Sequence, residues 1–243
     1  IPFTKTVAQW MKKIIPERQG GLDQAIYLDQ HLLAVPELAI DQAHRQTLEM
    51  GNIVAEEMIK QVIPLLVYGN VQSIDRIMEV EKAVDALYKK ISKYVTSLGN
   101  KNLQEDLMHK SIQSLYVANA LEHIGDIIIN VAKHARKLNV EDLEFSEEGF
   151  KEIEEIFNQT YNNFKLSLKS FAEMDPKLAV TVIKEHPKIL RLEKQLRYSH
   201  FDRMRGGNNR TIATSSIHLD LIENILRIDM HSVNIAQCIM GII

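Results

Sequence analysis

Apolar residues recur every three to four positions over six long stretches, the spacing of helices that bury one face. They predict helices over roughly Glu37 to Leu66, Ser73 to Leu98, Leu103 to Leu138, Glu147 to Met174, Pro176 to Met204 and Thr211 to Ile239. The breaks carry helix-ending and helix-starting residues. Pro64, Gly69 and Asn70 close the first stretch, and Gly99 and Asn100 close the second. Asn102 followed by Glu105 resembles a capping box for the third. Residues 141–148 form an acidic connector in which Ser146 is a candidate N-cap, with Glu147 and Glu148 favourable in a first turn. Asp175-Pro176 reads as a cap followed by an N-terminal proline, and Arg205 to Arg210 as an open loop.

The third stretch is unusual in where its polar residues fall. In LYVANALEHIGDIIINVAKHARKL (Leu115 to Leu138), Ala118, Leu121, Gly125, Ile128, Ile129 and Ala132 share one face. Asn119, Glu122, Asp126, Asn130 and Lys133 form a strip along its edge. Upstream, in EVEKAVDALYKKI, Glu81 and Asp85 share the sector of Ile74, Met78, Val84, Tyr88 and Ile91. Carboxylates inside an apolar stripe must be protonated, paired with a cation or bound to a metal. Two such helices packed together bring Glu81, Asp85, Glu122 and Asp126 to one point, an oxygen-rich site suited to hard cations or iron. The alternative is that each pair lies at the rim of its stripe and meets water, Lys or Arg.

The order is three helices, a linker and three helices, and residue-level echoes point to a duplication. Val84, Leu87 and Ile91 match Ile189, Leu192 and Leu196 at an offset of 105, and Asn130-Val-Ala matches Asn234-Ile-Ala at 104. At those offsets Glu81, Asp85, Glu122 and Asp126 become His186, Leu190, Leu226 and Met230. The acidic site is therefore expected in the first repeat alone, with an apolar core at the matching place in the second.

Composition narrows the function. With ten Gly, six Pro and 243 residues, the chain is built for an all-helical protein with a good core. A net charge of −3 argues against a general nucleic-acid binder, and the single Cys238 excludes a disulfide framework and zinc ribbons. No apolar run is long enough to span a membrane, and no signal-peptide pattern is present. The helical pattern is still running at the final MGII, so an excised piece of a longer protein is expected.

Thr6 to Ile15 carries Val7, Trp10, Met11 and Ile14 on one side, with Lys5, Lys12, Lys13 and Arg18 around them. It either rests on a membrane surface or packs on the bundle. The run Lys184, Lys188, Arg191, Lys194, Arg197, Arg203, Arg205 and Arg210 reads as a solvated face or an anion or partner contact. Di-iron carboxylate enzymes need Glu-x-x-His pairs, and this sequence has none.

LEHIGDIIINVAKH resembles the E-R-I-G-D-x-x-x-N-I-A signature of the PhoU family of phosphate-uptake regulators. The match rests on Glu122, Ile124, Gly125, Asp126, Asn130 and Ala132, with His123 where Arg is usual. EKAVD is similar to that family's upstream acidic helix, and YLDQHLLAVPELAIDQA to the segment joining the membrane domain of bacterial sodium/phosphate cotransporters to a PhoU-like domain. The resemblance implies an all-α, PhoU-like bundle of two three-helix repeats, 37–140 and 141–243, after a connector at 1–36. It implies a metal ion (iron, zinc, magnesium or another divalent cation) on Glu81, Asp85, Glu122 and Asp126, with Asn130 and His123 as outer groups. The implied partner is a membrane transporter domain preceding residue 1, with the chain a non-enzymatic homo-oligomer on the cytoplasmic face of the inner membrane, regulating phosphate uptake. A free-standing PhoU regulator and, from another class, a carboxylate-bridged oxidase or ferritin-like protein are the alternatives.

Overall fold

The structure, a computed structural model, describes residues 28–99 and 103–243. Among these residues the regular structure is helical: α1 Pro36–Ile53, α2 Val62–Tyr68, α3 Val71–Leu98, α4 Glu105–Val140, α5 Glu147–Glu173, α6 Pro176–Arg205, α7 Asn209–Ala213 and α8 Ser215–Ile239. The first repeat is α1 with its continuation α2, then α3 and α4; the second is α5, α6 and α8 with the short α7 before it. The repeats meet where α4 packs along α8. These two run antiparallel, since Gln113 bonds the Cys238 carbonyl near one end and His134 faces Asp220 near the other.

The matched apolar positions do the same work in both repeats. Val84, Leu87 and Ile91 on α3 are buried, and so are Ile189, Leu192 and Leu196 on α6. Burying each such side chain contributes about 1.5–3 kcal/mol, so the duplicated stripe positions each middle helix.

Several predicted boundaries shift for local reasons. The first pattern does not run unbroken to Leu66: Val54–Met58 forms a wide π turn, and a tight 3-10 turn at Ile59–Gln61 follows. Pro64 does not end a helix but sits in the first turn of α2, where its missing N–H loses no bond. Gly69 closes α2, and a Cβ there would lie 2.1 Å from the Leu65 carbonyl oxygen, so glycine is required. Asn70 opens α3 rather than closing what precedes it, in a reciprocal capping box with Ser73.

Glu105 is the first residue of α4 and Gln104 its N-cap; the expected Asn102/Glu105 box involves Asn102, which lies outside the described residues. Ser146 and Asp175 cap α5 and α6 as predicted. The stretch read as an open loop closes quickly, because Asn208 caps α7.

The end of the expected connector is packed down. Leu28, Leu32 and Leu33 lie against the core, and the Tyr94 hydroxyl meets the Asp29 carbonyl and Gln42 Oε1, each at 3.0 Å. The expectation for Thr6 to Ile15 falls outside the described residues.

Candidate metal centre and a buried ionic network

α3 and α4 place the four predicted carboxylates where they feel one another's charge, but among the described residues only Glu122 and Asp126 come within metal-sharing distance, with His123 rather than Glu81 or Asp85 as the third group. Burial pushes the Glu81 carboxyl up, and the charges of Asp126, Asp85 and Glu122 push it further. Burial likewise raises Glu122, with Asp126 and Asp85 adding to the rise and His123 opposing it. The four share one electrostatic neighbourhood, but at the rim rather than inside the stripe. The buried line of α3 runs Ile77, Val80, Val84, Leu87, Ile91, one position around from Glu81 and Asp85, and Met78 is 42% exposed. A step of about 100° per residue accounts for the displacement.

Basic side chains already attend the rim. Lys89 donates to Asp85 at 2.7 Å, and His123 Nδ1 lies 2.9 Å from Glu122 Oε2. Glu122, His123 and Asp126 each present a ligand atom within 4.8 Å of the others. Glu122 Oε2 is shielded from solvent and accepts no hydrogen bond among the described residues. Two carboxylates and an imidazole form a mixed oxygen and nitrogen donor set that fits zinc or iron better than magnesium. His123 thus joins the carboxylates directly, where the sequence placed it outside them. Across the seam it faces His231, ring centroids 5.6 Å apart, and burial followed by the His123 and Arg227 charges pushes His231 down to about 4.

The matching place in the second repeat is not the apolar core that the pattern predicted. Leu226 is half-buried and Met230 is exposed. His186, the counterpart of Glu81, instead donates from Nδ1 to Asp229 at 2.6 Å, and Asn163 donates to the same carboxylate at 2.7 Å. Asp229 is fully buried. Its first-repeat counterpart at the offset of 104 is Gly125, over which Met58 and Val84 close. One repeat fills this position with a methionine and the other with a hydrogen-bonded carboxylate.

A second ionic network at the far end of the second repeat escaped the sequence reading. Arg203, grouped there with solvated cations, is turned inward and holds Glu152 with two bonds of 2.5 and 2.6 Å. His218 Nε2 donates to the Gly149 carbonyl at 3.0 Å and lies 3.4 Å from the Glu152 carboxylate. His200 stacks on His218 with centroids 4.5 Å apart and bonds Ser215. Burial works against the Glu152 charge, yet hydrogen bonds from His218, Arg203 and Ser199 outweigh it and bring the carboxyl down to about 2. Burial, then His218 and Arg203, push His200 down to about 4. The signal was present: Glu152 lies between Gly149 and Ile156 on the apolar side of α5, the placement that drew attention to Glu122.

With this geometry in place, comparison with known proteins is decisive. The family model described as "PhoU domain" matches residues 47–135 and again 153–239. The chain belongs to the PhoU family. The two matched segments are offset by 106 residues at their starts and 104 at their ends, close to the 104 to 105 read from the apolar pattern. The crystal structure of PhoU from Pseudomonas aeruginosa superposes with a TM-score of 0.77 over 84% of this chain and 96% of that one, at 20% identity. PhoU from Streptococcus pneumoniae gives 0.74 over 84% and 95%, at 16% identity. At such identities the likeness shows the PhoU fold.

In sequence, the provisionally named inorganic phosphate export protein YjbB of Salmonella typhimurium is 26% identical over 99% of this chain. The chain spans 44% of that relative's length. PhoU homolog 1 of Thermotoga maritima, an accessory protein of a phosphate-specific transport system, is 26% identical over 67% of this chain and 69% of its own length. No described helix of this PhoU-family chain is long and apolar enough to cross a membrane.

Proposed function

We propose that this PhoU-family chain is the regulatory part of a sodium-dependent phosphate transporter, held at the cytoplasmic face of the membrane and modulating phosphate flux without catalysing a reaction. The observation that carries the reading is the coverage: the YjbB relative matches essentially all of this chain, which fills less than half of it. In this reading residues 1–36 connect a membrane domain to the repeats 37–140 and 141–243. The free-standing PhoU regulator is the second reading, favoured by the Thermotoga relative, 69% of whose length is matched.

A metal ion belongs to the proposal as the regulatory ligand of the first repeat. Glu122, Asp126 and His123 would hold it, with Glu81 and Asp85 at its edge, and the ion would supply the positive charge that offsets their repulsion. In the second repeat the buried Asp229 carboxylate is instead hydrogen-bonded by His186 and Asn163. Homo-oligomerisation is part of the reading, with a closed symmetric assembly the form expected.

The test is phosphate flux in cells expressing the natural full-length reading frame, intact or truncated before residue 28. Altered flux on removing the repeats supports regulation; unchanged flux refutes it. Elemental analysis of purified protein should show bound metal that disappears in Glu122→Ala with Asp126→Ala. Metal that survives this double change rules out the site.

A further inference from the structure

The face of α6 turned away from the bundle has a composition that the regulatory reading leaves unused. This helix packs on α5, α8 and the short α7, and its opposite side is open. At about 100° per residue, Lys177, Lys184, Lys188, Arg191 and Lys194 fall within roughly 60° of one line. All five are exposed. Lys188 is paired with Glu185, and Arg205 further along with Asp202. Lys177, Lys184, Arg191 and Lys194 form no ion pair among the described residues. Beside the C-terminal end of this strip stand Tyr198, 74% exposed, and Phe201, 52% exposed. The strip runs about 40 Å from Lys177 to Arg205.

Such a concentration stands out in a chain of net charge −3. The equivalent helix of the first repeat, α3, has Asp75 and Glu79 among its exposed cations. Acid and base are thus separated, with the carboxylate cluster on α3 and α4 and the bare cations on α6.

We infer that the outer face of α6 docks on an anionic lipid surface. This inference rests on the proposed attachment to a membrane transporter, and it specifies which side of the bundle faces the bilayer. The unpaired cations are mostly lysines, whose long stems reach lipid phosphates without a fixed partner geometry. Tyr198 and Phe201 are aromatic groups of the kind that settle at headgroup level. The cavities at the α2 end of the bundle and beside α7 include no α6 residue in their walls. A charged helix face that lines none of these cavities suits a partner that offers charge without shape. An acidic protein surface or a nucleic acid would be matched by grooves or stacking platforms as well as charge.

The experiment is co-sedimentation of the 243-residue chain with vesicles of phosphatidylcholine alone and with about one-third phosphatidylglycerol. Binding should be at least about tenfold tighter to the anionic vesicles and should weaken as salt is raised. Lys184→Glu, Arg191→Glu and Lys194→Glu together should abolish that preference. These three side chains are exposed, so the variant should keep the wild-type circular dichroism spectrum. Lys5→Glu, Lys12→Glu and Lys13→Glu together provide the comparison for the N-terminal basic segment.

Equal binding to both vesicle types, an unaffected α6 triple variant, or loss confined to the N-terminal variant would each overturn the inference. Binding to an acidic protein or to nucleic acid without vesicle binding would also overturn it. An α6 triple variant that loses vesicle binding while the full-length protein still regulates phosphate flux would leave the regulatory reading standing. Flux unaffected by the repeats, with vesicle binding intact, would sink that reading and leave the docking face.

Discussion

Replacing Arg203 with Met is the sharpest test of the buried network. The substitution keeps most of the side-chain volume but removes both hydrogen bonds to Glu152, in a pair whose side chains are only 14% and 11% exposed. Breaking a buried pair by removing one partner costs about 3–5 kcal/mol, because the other charge is left without compensation. Linkage sets a figure for the whole network: the Glu152 carboxyl, brought from 4.5 to about 2 by His218, Arg203 and Ser199 together, gains about 3 kcal/mol from all three at about 1.4 kcal/mol per pH unit.

The folded value is the depressed one, so this stability is fully present above pH 4.5 and is lost as pH falls through about 2. Urea unfolding at neutral pH should therefore show a loss of about 3 kcal/mol for Arg203→Met. Arg203→Met with Glu152→Gln should lose clearly less than the two single changes summed, since the stranded charge is gone. A loss below about 1 kcal/mol, the level of exposed pairs, or strict additivity, would show that Arg203 is solvated in solution and refute the reasoning.

Other expectations follow from the same structure. His200 and His231 are both held down to about 4, so NMR titration should find them neutral at pH 6. Their contribution to stability should be complete above 6.5 and lost as pH falls through about 4. Asp229→Leu paired with His186→Leu should be tolerated better in thermal unfolding than His186→Leu alone, which strands a buried carboxylate. Gly125→Ala should leave stability unchanged or raise it by up to about 1 kcal/mol. The added Cβ would meet Met58 and Val84 no closer than 3.7 Å, an ordinary contact. A marked loss would show that the helix has no such room.

What the sequence made legible depended on period, and what it hid depended on which helix lay opposite. The stripe Val84, Leu87, Ile91 and its echo Ile189, Leu192, Leu196 were readable because 3.6-residue spacing alone puts them in the core. The gathering of Glu81, Asp85, Glu122 and Asp126 was likewise visible from two adjacent helices. Their rim position was not, because a helical wheel does not say where the neighbouring axis sits.

The repeat offset marks His186 only as the counterpart of Glu81 and gives no sign of its partner Asp229. They meet because Asp229 takes the place that Gly125 vacates in the first repeat, a relation visible only when the carboxylate is traced to Asn163. Arg203 was lost in a run of cations most of which face water, half-buried Arg197 against Glu193 being another exception. No local feature marks the one that turns inward; only Glu152, fifty-one residues earlier in the chain, does.

The clasp at Asp29 gives the bundle a defined point of mechanical load. Asp29 is gripped by its backbone amide, through Gln42 on α1, and by its carbonyl, through Tyr94 on α3. Tension arriving along the chain from residue 28 is therefore borne by two helices at once, not by the single strand of backbone leading into α1. Tyr94 lies about 14 Å along α3 from Asp85, so part of that tension runs down the helix bearing half of the carboxylate cluster. A displacement at the clasp would therefore load α3, which carries Glu81 and Asp85, before it loads α4, which carries Glu122 and Asp126.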